Sequence, residues 1–334
     1  MLTITTTDMH TGGEPVRIIT GGVPEMPGAT VLERRRFFRE HLDHIRTGLM
    51  WEPRGHADMY GVVLGPPDTP DGDLSAFFIH NEGYSTMCGH ATLALGRYAV
   101  ERGTLSHYDG KRDILIDVPA GRIRARADYQ EGKYAGSSFL NVPSFVFLRD
   151  GSADWRMESL GKIHFDIAYG GAFYVFVKAS DFQLEIVPSN TNKFIELGRR
   201  IKNALAESFP VKHPFTPDLS FLYGTIFTGP AEDPGHHSRN VCIFADGELD
   251  RSATGSGVSA RAALLFDKGE LKARDNIVIE SILGTTMEVE IADVVTFGPY
   301  QAVVPRVSGM AYFTGEHEFV FEEEDPLKDG FLLR

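Results

Sequence analysis

Met87-Cys88-Gly89-His90-Ala91 and Ala253-Thr254-Gly255-Ser256-Gly257 are one short pattern written twice, once with a cysteine and once with a threonine at the key position. In both, a Gly follows the key residue, another Gly lies fifteen positions beyond it (Gly103, Gly269), and a Leu lies seventeen beyond it (Leu105, Leu271). The intervening residues are small and suited to helix: Ala91, Ala94 and Gly96 in the first copy, Ala260, Ala262 and Ala263 in the second. The spacing predicts two copies of one half-site, each a turn, a key residue, a Gly and a buried helix that neighbouring strands approach closely. The copies are chemically unequal. Two facing thiols can pass a proton across a substrate, whereas a thiol facing a hydroxyl cannot.

An internal repeat suits the length. At 334 residues the chain exceeds the size at which a single core usually stops growing, so two domains are expected. Period-two strand patterns dominate: Gly61 to Leu64, Ile114 to Val118, Phe173 to Val177, Val241 to Ala245, and Met287 to Ile291, each bounded by Gly, Pro, Asp or Asn. Helices are expected at Leu32 to Leu49, His90 to Arg102, Lys193 to Glu207 and Gly257 to Lys268. Strand runs interrupted by single helices indicate an α+β fold, not regular βαβ alternation. The break is expected near Ser159 to Gly170, giving a first domain over 1–165 that carries Cys88, with 310–334 packing back on it, and a second over 166–309 that carries Thr254.

Composition narrows the function. Acidic residues outnumber basic ones by 46 to 33, a formal charge of −13, which argues against a nucleic-acid partner. The dense basic run Arg34-Arg35-Arg36 lies between Glu33 and Glu40 and is expected to be a solvated helix face; Glu322-Glu323-Glu324-Asp325 is expected to be a solvated turn. Two cysteines, Cys88 and Cys242, build no disulfide framework and suit a reducing compartment, so the cytoplasm is the expected location. No apolar run approaches the roughly 20 residues that cross a bilayer, and Met1 to Asp8 read as a first strand, not an export signal.

The chemistry belongs to the half-sites. N–H groups at a helix start have no acceptor inside the helix, and the positive end of the dipole lies behind them, so a substrate carboxylate is expected there. The same field draws a cysteine thiol below its free pKa of about 8.5, which makes Cys88 a credible base or nucleophile. His90 is placed for hydrogen bonding or proton transfer near the reacting centre, or simply for bonding at the helix start. Thr254 is a candidate helix cap as well as a site residue. Asp250 is suited to bind a substrate ammonium, although Asp246-Gly247-Glu248-Leu249-Asp250 also reads as a plain surface turn. Cys242, inside an apolar strand pattern, is read as structural.

At these residues the chain resembles the proline racemase family, which includes hydroxyproline epimerases and trans-3-hydroxy-L-proline dehydratases. The likeness covers nearly the whole chain and rests on Asp8 to Pro15, Glu52 to Gly61, Asn81 to His90, Gly170 to Tyr174, and Asp250 to Gly257. In the racemases and epimerases the last block resembles Asp-Arg-Ser-Pro-Cys-Gly-Thr-Gly; here Ala253 replaces the proline and Thr254 the second cysteine. That Cys and Thr pairing is similar to the trans-3-hydroxy-L-proline dehydratase branch. The resemblance implies two pseudo-symmetric domains, each with mixed strands wrapped around a central helix, and an active site in the cleft between them. It implies catalytic roles for Cys88, Thr254 and His90, and substrate contacts from Gly89, His90, Asp250, Gly255 and Ser256. It also implies no cofactor or metal, a hydroxyproline-type imino acid as substrate, and a homodimer.

Inversion at Cα needs two groups that exchange protons near neutral pH, and a threonine hydroxyl without an adjoining base is not one of them. Elimination needs one base and help for the leaving hydroxyl. The expected reaction is therefore dehydration of trans-3-hydroxy-L-proline, with 4-hydroxyproline epimerisation or proline racemisation as the alternative within the family. Three other readings are weighed. Gly255 to Ala260 formally satisfy a dinucleotide fingerprint, but Asp246 to Ala253 separate them from the preceding strand and no βαβ repeat follows. His236-His237 with His213 or His56 lack the spacing of a known metal site. A non-catalytic imino-acid-binding protein would use the same helix starts but would need no thiolate.

Overall fold

The computed structural model describes residues 1–103, 105, 113–155 and 161–333. Thr104, in the tail of the first repeat, and Ser159, at the expected break, lie outside them. In chain order the elements are β1 (Leu2–Thr11), β2 (Glu14–Gly21), α1 (Val31–His41), α2 (Asp43–Met50), β3 (Tyr60–Gly65), β4 (Leu74–His80), β5 (Gly83–Ser85), α3 (Gly89–Glu101), β6 (Ile114–Val118), β7 (Gly121–Gln130), β8 (Lys133–Leu140), β9 (Ser144–Trp155), β10 (Gly161–Tyr169), β11 (Phe173–Lys178), α4 (Thr191–Ser208), β12 (Leu222–Gly229), β13 (Ser238–Phe244), β14 (Glu248–Asp250), α5 (Gly255–Asp267), β15 (Asn276–Glu280), β16 (Thr286–Phe297), β17 (Tyr300–Gly309) and β18 (Ala311–Phe321). The fold is α+β. Among the described residues no helix is long and apolar enough to cross a membrane.

The chain forms two compact units, Met1–Phe139 with Met310–Arg334, and Leu140–Gly309. This division falls ahead of the 165/166 boundary expected from the sequence. Polar residues near 159–170 suggest a break, but β10 pairs antiparallel with β9 from Gly161↔Trp155 to Tyr169↔Phe145, so Gly161–Tyr169 belongs to the ladder of the second unit. In the first unit β18 pairs with β1 from Leu2↔Phe321 to Thr11↔Ala311.

Both units follow the same course. In the first, antiparallel β18–β1–β2 leads to parallel β2–β3, antiparallel β3–β4, a short return strand β5, and the helix α3; β6 then lies parallel to β4 and antiparallel to β7. In the second, β9, β10, β11, β12, β13, β14, α5, β15 and β16 repeat every one of those relations in order. The second unit also closes: β16 pairs with β17, and β17 with β9 through Ala302↔Phe145 and Val303↔Ser144. The repeat glimpsed in fifteen residues thus extends to whole units.

The small residues allow this. A helix that is apolar on all sides belongs in a core, and α3 is buried from Gly89 through Gly96, α5 from Gly255 through Ala260. Helix α3 packs on β1, β2, β7 and β18; α5 packs on β9, β10, β11, β16 and β17. At Gly96 an added Cβ would lie 3.2 Å from the Arg126 carbonyl oxygen of β7, and at Gly170 one would lie 2.2 Å from the Ser256 carbonyl oxygen and 2.5 Å from the Ala260 nitrogen. Side chains at these positions would push strand and helix apart. Each unit adds a second layer: Phe38, Ile45 and Leu49 of α1 and α2 cover Val63, Phe77 and Ile79 of β3 and β4, while Gly198 of α4 lies against Ile243 of β13.

Two expectations fail in the outer layer. The helix expected over 32–49 is two helices, interrupted at Leu42, whose φ of −125° and ψ of 14° leave the helical region while its N–H still donates to the Phe38 carbonyl. Nor is Arg34-Arg35-Arg36 a solvated face. Arg34 and Arg35 are buried, and Arg34 donates to Asp68 Oδ1 at 2.7 Å, to Ser75 Oγ and to the carbonyls of Gly28 and Pro66. Guanidinium groups can be buried when every donor finds an acceptor, and charge counting along a helix does not show those acceptors. The remaining expected strands and helices are present within a few residues of their predicted ends.

The Gly170 approach yields a prediction. Gly170→Ala should lower the denaturant midpoint by the equivalent of about 2 kcal/mol or more, since overpacking against backbone has no flexible side chain to yield. An unchanged midpoint would show that strand and helix are not in the tight contact described.

Candidate active site

In the first unit the half-site begins where β5 ends. Cys88 is the N-cap residue of α3, with extended backbone (φ −141°, ψ 113°), and its Sγ accepts a 3.4 Å hydrogen bond from the Ala91 N–H. The thiol therefore takes the capping role usually filled by Ser, Thr, Asp or Asn, and one N–H of the helix start points at sulfur. His90 lies over it: Nδ1 is 3.2 Å and Nε2 3.7 Å from Sγ. The His90 carbonyl accepts from Thr11 Oγ1 at 2.9 Å, and the Tyr60 ring meets the imidazole edge to face at 4.8 Å, with His80 stacked on Tyr60. Cys88 is 4% exposed and His90 3%. A thiol and an imidazole in contact, shut from bulk water, can exchange a proton.

In the second unit the turn after β14 does the equivalent work by different means. Asp250 Oδ1 accepts the Ser252 N–H at 2.7 Å, and Ser252 Oγ accepts the Thr254 N–H at 3.1 Å. Two side chains acting in succession hold Thr254 at φ 68°, ψ 93°. Positive φ costs a β-branched residue on the order of 1–3 kcal/mol, so the turn is over-determined to keep it there. Thr254 stands at the N-cap position of α5, but its hydroxyl caps nothing: Oγ1 is buried and has no hydrogen-bond partner among the described residues. Capping, one of the roles expected of Thr254, is thus corrected. The twisted backbone carries its hydroxyl away from the helix N–H groups.

The consequence is an uncapped helix start. The first N–H groups of α5, at Gly255, Ser256 and Gly257, have no acceptor within the helix by geometry, and no side-chain cap replaces one. Gly257 leaves room for this arrangement, since a Cβ there would lie 3.0 Å from Thr254 Cγ2 and 2.5 Å from Ile226 Cδ1. The Ser256 hydroxyl is 2.7 Å from Tyr174 OH, and both side chains are buried. Burial, reinforced by Cys242 and Tyr223, pushes the Tyr174 phenol well above its ordinary pKa, so it stays protonated.

The structure thus groups Cys88, Gly89 and His90 at the start of α3, and Asp250, Thr254, Gly255 and Ser256 at the start of α5. Asp250 is buried, not part of a surface turn, and one of its oxygens is engaged by the turn. Thr11, Tyr60, Ser252 and Tyr174 join these groups without having been assigned a role from the sequence. All four lie inside the sequence blocks on which the family resemblance rests, and that was the available signal. Of the histidines weighed for a metal, His236 binds the buried Glu280 at 2.8 Å, while His213 sits among Phe145, Tyr169 and Phe297, where burial lowers its pKa to about 4. They are in different surroundings and form no cluster among the described residues. Cys242 is fully buried in β13, as a structural cysteine would be.

Two units of one topology, each offering a thiol or hydroxyl at the start of a buried helix, define a protein built from paired half-sites. The chain belongs to the proline racemase family, whose model matches residues 6–332. It is 47% identical to a trans-3-hydroxy-L-proline dehydratase of Colwellia psychrerythraea over all of this chain and 93% of that one. It is 43% identical to a 3-hydroxyproline 2-epimerase of Burkholderia multivorans, covering 99% of this chain and 98% of the relative. Among solved structures, a hydroxyproline epimerase from Agrobacterium vitis with bound trans-4-hydroxy-L-proline superposes with a TM-score of 0.93 at 28% identity, over 100% of this chain and 95% of the other.

The Tyr174 to Ser256 contact is testable. Tyr174→Phe removes one oxygen and leaves a buried serine hydroxyl without its phenol, which should lower stability by about 1–3 kcal/mol as read by chemical denaturation. Ser256→Ala in the Tyr174→Phe background should then add little. Fully additive losses would show that the two hydroxyls do not interact.

Proposed function

We propose that this protein is a cofactor-independent hydro-lyase that converts trans-3-hydroxy-L-proline to 1-pyrroline-2-carboxylate and water. The observation that carries the reading is the inequality of the half-sites. Cys88 has an imidazole at 3.2 Å and a helix N–H on its sulfur, whereas the Thr254 hydroxyl has no hydrogen-bonded base among the described residues. One group can take and return protons near neutral pH; the other can only donate or accept a hydrogen bond.

In trans-3-hydroxy-L-proline the 3-hydroxyl lies on the ring face opposite the carboxylate, and hence on the face of the Cα hydrogen. Loss of both from one side is therefore possible. The Cys88 thiolate removes the Cα proton, and that electron pair becomes the C2–C3 double bond as the C3–O bond breaks. The departing hydroxyl takes a proton and leaves as water; Cys88 and His90 are the two groups placed to deliver it. The cyclic enamine then tautomerises to the imine. The carboxylate, where negative charge builds during proton removal, is held by the N–H groups of the helix starts. Asp250 binds the ring ammonium, and Thr254 holds the substrate from the second half-site. The name carried by the Colwellia psychrerythraea relative supports this reading.

The name of the Burkholderia multivorans relative supports a second one, epimerisation of 3-hydroxyproline at C2. Product analysis separates them. With trans-3-hydroxy-L-proline the protein should yield a borohydride-reducible cyclic imine, and Cys88→Ser should lower kcat by about 10³-fold or more, as loss of a catalytic base does. Recovery of the C2 epimer without imine, or undiminished activity in Cys88→Ser, would overturn the dehydratase. Thr254→Cys supplies a second thiol. It should slow dehydration and introduce solvent deuterium at Cα of recovered proline, followed by mass spectrometry; no exchange would mean that the identity of residue 254 does not decide the outcome.

A further inference from the structure

Arg261 lies two turns into α5, about 10 Å along the axis from Thr254. It is partly buried, its Nε is sealed from solvent without a hydrogen-bond partner, and among the described residues it forms no ion pair. Four buried arginines do have a close carboxylate: Arg17 pairs with Asp8, Arg34 with Asp68, Arg46 with Asp43, and Arg239 with Glu280. Asp166 and Glu270 attract Arg261 from a distance, but Asp166 is held by Lys268 at 2.6 Å and by the Asp150 N–H at 2.8 Å. Burial outweighs these attractions and pulls the Arg261 pKa down. Withdrawing a guanidinium part-way from water, with its Nε unpaired and its nearest carboxylates at a distance, carries a cost. Something outside the chain can offset it.

Arg261 opens onto a cavity of about 590 Å³ between the C-terminal half of α5 and strands β10, β11 and β12 of the second unit. Phe165, Phe176, Leu264 and Leu265 give it apolar walls; Lys178 and Lys268 also line it, the latter paired with Asp166. The exposed carboxylates of Asp150, Asp181 and Glu270 also line it and oppose a multiply charged anion. We infer that this cavity is a binding site for a small monocarboxylate, with its carboxylate on the Arg261 guanidinium and its apolar part against Phe165, Phe176 and Leu264. A planar guanidinium matches a carboxylate fork with two parallel hydrogen bonds. The inference is independent of the chemistry proposed for Cys88 and Thr254.

Titration of the full-length protein with sodium butyrate, followed by calorimetry at constant ionic strength, tests it. The wild type and Thr254→Val should share one butyrate affinity at this cavity, while Arg261→Gln should weaken it about tenfold or more and leave turnover in the absence of butyrate unchanged. Arg261→Lys, which keeps the charge but not the fork, should fall between them. Without ligand, Arg261→Gln should melt no lower than the wild type, because it removes a partly buried charge that forms no ion pair. Equal butyrate affinity in wild type and Arg261→Gln, no binding to the wild type, tighter binding of inorganic phosphate than of butyrate, or a lowered melting point of ligand-free Arg261→Gln would each overturn the assignment.

Discussion

Everything at the candidate site depends on one constraint: the N–H groups at the start of a buried helix must find acceptors. Helix α3 meets it in part with the Cys88 sulfur, which accepts from Ala91. Helix α5 leaves it open, because Asp250 and Ser252 twist Thr254 until its hydroxyl can no longer reach the helix. A helix start of that kind is unstable in isolation and well matched to a carboxylate. Surrounding strands supply the stability that the helix start gives up. That is why both helices are central and lined with small residues, and why β10 approaches α5 within the reach of a single Cβ at Gly170.

Burial also separates the two polar half-sites chemically. In the first, an imidazole nitrogen lies 3.2 Å from a thiol sulfur. In the second, Tyr174 keeps its proton and occupies the Ser256 hydroxyl, so the half-site is rich in hydrogen-bond donors and poor in bases. The two half-sites thus differ in chemistry, although the backbone around each runs the same course.

The sequence showed most of this, for identifiable reasons. The repeat of Cys88 and Thr254 was legible because it is local: a key residue, a Gly and a small-residue helix leave a pattern of fixed spacing. The strands were legible because their burial alternates or is continuous over short runs. What could not be read was non-local. The pairing of β9 with β10 placed an expected break within the ladder of the second unit, and the acceptors around Arg34, drawn from Gly28, Pro66, Asp68 and Ser75, turned an apparent surface charge run into a buried ion pair. Thr254 falls between these cases. Its position was legible, but its positive φ, and with it the loss of the cap, depends on which way two short side chains fold back on the turn.

The ring of strands in the second unit has a further consequence. The sheet runs from β9 through β13 and β15 to β17 and returns to β9, where Ala302↔Phe145 and Val303↔Ser144 close it. The strand beside the ring, β14, is three residues long and fully buried. Closure at Ser144 and Phe145 shortens the edge of β9 that another chain could extend.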